Sequence, residues 1–198
     1  MDLIKIEKPI IDESQLLITS KKINIYNVTL ETKIEIPDYV KELHIHGDYL
    51  EHFDIPDGLI SVNVNSLGLK SLYVPDSVKY LYCAQNFLKK LEVPTGIMCI
   101  DAHNNLLTEI TFREPKEKNI NTLYLDIQSN RFTILDFDVP LDYLNASLNN
   151  LEYINTKIYD FLIKLKLKSY GSKKTIPKHQ RILHFLDGPF NEHKLKYY

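Results

Sequence analysis

Apolar residues return along this chain with a period of 19. Pro37, Pro56, Pro75 and Pro94 are spaced by that step, and each follows an aliphatic residue: Ile36, Ile55, Val74 or Val93. Counted from each proline, apolar side chains fall at offsets +3, +6, +8, +13 and +16. In the first proline unit these are Val40, Leu43, Ile45, Leu50 and Phe53; in the second, Leu59, Val62, Val64, Leu69 and Leu72. Val78, Leu81, Cys83, Leu88 and Leu91 follow, then Ile97, Ile100, Ala102, Leu107 and Ile110. A fixed period this short predicts a solenoid, because one unit cannot bury its apolar side without neighbours stacked on it. The +6 and +8 residues alternate with their neighbours, which predicts a short strand in every unit.

Beyond Pro94 the rhythm continues with one interruption. The charged stretch from Arg113 to Lys118 adds about six residues and predicts a loop bulging from the array over 113–121. Leu125, Ile127, Asn130, Phe132 and Leu135 then resume the offsets, followed by Leu141, Leu144, Ala146, Asn149, Leu151 and Ile154. Leu162, Leu165, Leu167 and the Ile176-Pro177 step read as a further unit. Upstream, Ile23, Ile25, Val28, Leu30 and Ile34 form a degenerate one. The expectation is a single domain over 1–198, with an N-terminal cap at 1–16. Seven to eight repeats of 18–21 residues follow at 17–177, and a basic cap closes the chain at 178–198. Residues 175–188 fit either a terminal cap helix, with Thr175 as N-cap and Gly188 as terminator, or one more repeat.

Offset +11 is Asn86 in one unit and Asn105 in the next. An asparagine just after a strand can satisfy backbone groups of adjacent turns as the chain bends inward. The segments Leu81-x-Cys83-x-x-Asn86-x-Leu88-x-x-Leu91 and Ile100-x-Ala102-x-x-Asn105-x-Leu107-x-x-Ile110 resemble the LxLxxNxLxxL core of leucine-rich repeats. The short unit and its aliphatic-Pro step resemble the short-repeat class of secreted bacterial effectors. The chain departs from that class in lacking the first Leu-Pro of each unit, so no effector function follows. The resemblance implies a β-solenoid with a curved parallel sheet on the concave face, an extended or turn-like convex face and little helix.

Offsets +5, +7 and +9 alternate with the buried positions and should form the exposed strand face. From the N-terminus they are Lys22/Asn24/Tyr26, Glu42/His44/His46, Ser61/Asn63/Asn65 and Tyr80/Tyr82/Ala84. Cys99/Asp101/His103, Tyr124/Asp126/Gln128, Tyr143/Asn145/Ser147 and Lys164/Lys166/Lys168 continue the series. Tyrosine offers a large rigid contact area and is enriched where proteins bind proteins. The expected partner site is therefore Tyr80, Tyr82, Asp101, His103, Tyr124, Asp126, Tyr143 and Asn145. Eight strands at ~4.8 Å give a flat footprint of only about 450 Å², against ~800 Å² per partner in a stable interface. Loops or the C-terminal end must add to it.

Composition narrows the classes. Two cysteines, Cys83 and Cys99, make no disulfide framework and lack metal-site spacing. With no signal-like start in Met1-Asp2-Leu3-Ile4-Lys5, a cytoplasmic home is expected. Lysine (21) far outnumbers arginine (3), as in AT-rich coding sequence. Residues 1–156 hold 14 basic and 23 acidic side chains, whereas 157–198 hold 10 and 3. The basic end, with Lys164, Lys166 and Lys168 on one strand face, supports an alternative reading as a module for nucleic acid or lipid headgroups.

Catalysis is not expected. Cys99, Asp101 and His103 share a face, but four strand steps separate the thiol from the imidazole by ~13 Å. Asp101 and Asp126 should neighbour each other across strands, ~5 Å apart, on an open surface without a substrate pocket. His44 and His46 have Asn24, Tyr26, Asn63 and Asn65 beside them, a weak ligand set, so no metal and no cofactor are expected. The chain contains no phosphate-binding glycine loop and no HExxH. A non-enzymatic protein-interaction scaffold is the leading expectation.

Overall fold

A residue pattern that alternates for only three or four positions before breaking can build a strand of that length and no longer. The chain forms many such strands. The computed structural model describes residues 3–5, 22–28, 33–47, 49–113, 123–155 and 157–158. Along the chain these hold β1 (Leu3–Lys5), β2 (Lys22–Val28), β3 (Lys33–Glu35), β4 (Glu42–Gly47), β5 (His52–Asp54), β6 (Ser61–Asn63), β7 (Ser71–Tyr73) and β8 (Tyr80–Tyr82). They continue with β9 (Lys90–Pro94), β10 (Cys99–Asp101), β11 (Glu109–Arg113), β12 (Leu123–Asp126), β13 (Ile134–Leu135), β14 (Leu141–Asn145) and β15 (Tyr153–Ile154). The even-numbered strands form one sheet in the order β14-β12-β10-β8-β6-β4-β2, and every pairing in it is parallel. The odd-numbered strands pair on the opposite side of the coil, β1 with β3, β5 with β7, β9 with β11 and β13 with β15. Over the described residues the architecture is a parallel β-solenoid of about six turns with essentially no helix. Among the described residues no helix is long and apolar enough to cross a membrane.

The rows of the sequence pattern become columns of the core. The +6 column, Leu43, Val62, Leu81, Ile100, Leu125 and Leu144, is no more than 2% exposed anywhere. Register follows the period: Ser61 pairs with Tyr80 and Tyr80 with Cys99. Cys99 pairs with Tyr124, so the faces of the sheet keep their order across the longer step between these strands. Pro37, Pro75 and Pro94 each open a reverse turn in which the proline carbonyl accepts from the +3 amide, with N···O of 3.0–3.2 Å. The expected insertion needs one correction. Arg113 is the last residue of β11, paired with Pro94, and its guanidinium reaches back to Asp76 at 3.0 Å and over the Tyr73 ring. The rest of the insertion, most of the 1–16 cap, the 162–177 unit and the 175–188 segment lie outside the described residues.

Strict alternation cannot bury both +8 and +11, and the backbone resolves the conflict at +10. Ser66, Gln85, Asn104, Ser129 and Leu148 all occupy this position with φ of 53–60°. A left-handed residue slips the inward phase by one, so +11 and +13 point into the core instead of +10 and +12. Four residues of the series are polar and short or flexible, but Leu148 is an exposed apolar side chain in a conformation that costs an L-residue roughly 1–2 kcal/mol. Leu148→Asn should therefore raise stability by about 0.5–1 kcal/mol, since asparagine tolerates this conformation. A rise in the thermal midpoint checks it; an unchanged or lower midpoint rejects the assignment of strain.

The inward asparagines form a continuous ladder. Asn86 Oδ1 accepts from the amides of Leu67 (3.0 Å) and Leu69 (2.9 Å) in the preceding turn. Its Nδ2 donates to the carbonyls of Val64, Cys83 and Ala84. Asn105, Asn130 and Asn149 repeat the arrangement one turn at a time. The backbone groups stranded where the chain leaves the sheet are thus satisfied from the neighbouring turn, as buried polar groups must be.

Candidate functional site

The outer face of the even-numbered sheet carries the residues singled out from the sequence. Tyr80, Cys99, Tyr124 and Tyr143 stand side by side at +5, and Tyr82, Asp101, Asp126 and Asn145 at +7. Tyr124 and Tyr143 stack with ring centroids 4.2 Å apart and planes within 5°. An aromatic pair of this kind adds about 0.5–1.5 kcal/mol beyond simple burial. Burial and the Tyr143 hydroxyl together push the Tyr124 phenol up to about 12. The Tyr80 hydroxyl lies 3.8 Å from the Met98 sulfur. The Tyr82 phenol is raised by burial and by a hydrogen bond with Cys99. Tyr80 and Tyr82 thereby each contact the turn that bears Met98 and Cys99.

The +7 carboxylates and amides have a second duty. Asn63, Asp101, Asp126 and Asn145 each accept, through Oδ1, the backbone N–H two residues on, belonging to Asn65, His103, Gln128 and Ser147. Such local turns suit asparagine and aspartate alike. Tyr82 cannot do this, and the amide of Ala84 is accepted instead by Asn65 Oδ1 of the turn before, at 2.7 Å. Asp126 also accepts from Asn145 Nδ2 at 3.1 Å.

Position +9 is only partly the exposed row that alternation predicts. Ala84 and Ser147 are buried and His103 is half-buried. The strand ends at +7 in these turns, and the left-handed residue at +10 has already begun to fold the chain over. His103 is held by Asp101 at 2.5 Å and serves the face as an anchored ring. At Cys99 burial pushes the thiol up, outweighing the lowering by Tyr82, and Asp101 raises it further. Cys83, in the core, is driven far higher by burial. Toward the N-terminal end, Tyr26 stacks on His46 at 4.9 Å. His44 beside it has its pKa lowered, by burial first and then by Lys22 and His46. No group of three or more His, Cys, Asp or Glu side chains is placed to hold a metal among the described residues.

Two contributors escape a reading by alternation. Ile60 and Met98, at +4, are 41% and 38% exposed and extend the tyrosine strip along the margin where the strands begin. Alternation puts +4 on the same side as the buried +6, but the strands start at +5, so the turn is free to send +4 outward. The hydrogen bonds from Tyr80 N to Ile60 O and from Tyr124 N to Met98 O hold the strip together. Lys164, Lys166 and Lys168 lie outside the described residues. Comparison with protein-family models, with curated proteins and with solved structures finds no match to this chain.

Proposed function

We propose that the protein is a non-enzymatic scaffold that binds a protein partner on the outer face of its even-numbered sheet. Tyr80, Tyr82, Tyr124 and Tyr143 form the centre, and Asp101, His103, Asp126 and Asn145 the polar flank. The observation that carries this reading is the exposed aromatic strip. Tyr80 and Tyr124 are 37% and 42% exposed although the same fold keeps its +6 column at 2% exposure or less. Apolar and aromatic surface left continuous on a protein marks an interaction site more often than a random surface does. The rings are held in place by stacking and sulfur contacts, so little rotamer freedom is left to lose on binding. The raised thiol of Cys99 supports a role without thiol catalysis. The asparagine ladder supports kinship with leucine-rich repeats.

The experiment is affinity capture from the native host with the wild-type chain and with Tyr80, Tyr82 and Tyr124 all changed to Ala. The changes should remove at least one specifically retained protein while circular dichroism stays close to wild type and the thermal midpoint falls by no more than the lost Tyr124–Tyr143 stacking accounts for. Unchanged recovery would overturn the reading.

A further inference from the structure

The face has a charge character as well as an aromatic one. From β6 to β14 its +5, +7 and +9 positions present Asp101 and Asp126 and not one Lys or Arg. The two aspartates are Cα partners on adjacent strands, ~4.8 Å apart. Asp101 neighbours Tyr82 on one side and Asp126 neighbours Asn145 on the other. The exposed rings of Tyr80 and Tyr124 stand two positions away on the same strands or their neighbours. Aromatic rings beside carboxylates, with Lys79 on the +4 margin holding its Nζ against Gly96 and His103 the one basic ring paired with Asp101, form a surface complementary to one kind of side chain. A guanidinium can stack on a tyrosine ring while its N–H fork meets a carboxylate, and it sheds water more readily than an ammonium.

Resting on the reading above, we propose that the partner presents an extended basic segment whose arginines sit on the tyrosine strip and pair with Asp101 and Asp126. The strip from β8 to β14 spans three strand spacings, ~14 Å, which four or five extended residues cover at ~3.3 Å each. Alternate residues of such a segment face the sheet, so two arginines two apart reach the two aspartates. A nucleic acid or an anionic lipid surface would meet the wrong sign of charge on this face.

The structure also supplies a substitution that separates charge from folding. Asp101 and Asp126 cap the following turn through one oxygen, and Asn63 and Asn145 do the same in other turns. Asp101→Asn with Asp126→Asn therefore keeps the caps and removes two charges, at the cost of the Asp101–His103 ion pair and of the bond Asp126 accepts from Asn145, so the thermal midpoint of the variant is measured beside its affinity. The test uses the full chain and ten-residue peptides, blocked at both ends, that alternate arginine with leucine. Counterparts carry lysine or glutamate in place of arginine, and binding is followed by fluorescence anisotropy at two salt concentrations.

The arginine peptide should bind, the lysine peptide more weakly and the glutamate peptide not measurably. The double Asp→Asn variant should lose about tenfold in affinity and part of the salt dependence. Equal binding of arginine and glutamate peptides would overturn the proposal, as would an unchanged affinity in the double variant or no binding of the arginine peptide. A wild-type chain that sediments as a dimer, and becomes monomeric in the double variant, would overturn it in favour of a second copy of this chain. Failure here with tyrosine-dependent capture intact removes the basic segment and leaves the scaffold; loss of tyrosine dependence removes the scaffold itself.

Discussion

Asn86→Ala is expected to destabilise the protein by about 2–4 kcal/mol, the largest loss from any single polar side chain in the solenoid. Asn86 is 3% exposed and makes five hydrogen bonds, two accepted and three donated. Alanine leaves the amides of Leu67 and Leu69 without their acceptor inside the coil, where both residues are no more than 1% exposed. A buried donor or acceptor without a partner costs ~1–3 kcal/mol, whereas a satisfied bond contributes only ~1 kcal/mol net. The unsatisfied amides therefore dominate the effect. Asn105→Ala should cost somewhat less, ~1–3 kcal/mol, and Asn149→Ala least, because Asn149 is only partly buried. Asn86→Asp is the sharper control. It preserves the two accepted bonds but turns three donated ones into oxygen facing oxygen, so it should destabilise at neutral pH at least as much as alanine. Urea unfolding midpoints check the order. Equal costs at positions 86 and 149 would show that the ladder bonds are not what burial makes them.

That ladder was open to inspection in the sequence, and the reasons say something about what patterns can carry. Asparagine at +11 stands out because few residue types donate and accept at once in so small a volume. The fold therefore wrote the same letter at Asn86, Asn105, Asn130 and Asn149. The aliphatic columns were legible for the same reason: one environment repeated along the coil selects one class of side chain. The insertion was legible as a count, and its first residue was misplaced because Arg113 looks like loop chemistry while acting as a strand end that ties turns together.

The left-handed position left no such mark. Ser66, Gln85, Asn104, Ser129 and Leu148 share a backbone conformation and little else, because the requirement falls on φ and not on a side chain. Missing it, a strict alternation puts Ala84 and Ser147 on the outer face when both are buried, and hides Ile60 and Met98, which are exposed. The candidate site was legible as a set of neighbours, since Tyr80, Cys99, Tyr124 and Tyr143 share an offset. The double use of Asp101 and Asp126 was not. Their cap on the next turn depends on chain direction after the strand, and the series is broken at Tyr82, where Asn65 takes over from one turn away. A substitution borrowed between turns is invisible to any reading that treats each repeat separately.

The second large effect is expected in the core. Phe132→Ala should cost about 3–5 kcal/mol, and Phe132→Leu less than half of that. Phe132 is 1% exposed at +13, the column filled by leucine at 50, 69, 88, 107 and 151. It is the largest fully buried side chain among the described residues, in the turn that follows the insertion. Its backbone is held independently of the ring: its amide donates to Asn149 Oδ1 at 3.0 Å, and its carbonyl accepts from Asn150 N at 3.0 Å. Residue 132 is therefore tied to the following turn through both of its backbone groups, which limits collapse into the space and brings the cavity term toward its upper range. Leucine restores the side chain that the other turns use, and leaves a volume deficit near one methylene or two. In a solenoid each turn contacts only its neighbours, so the loss should also be local. Hydrogen exchange should quicken most at the amides of β12 and β14 and little at those of β6, three strands away in the sheet. Uniform quickening would mean that the turns unfold as one block. An alanine variant as stable as the leucine variant would mean that the ring fills no space the fold depends on.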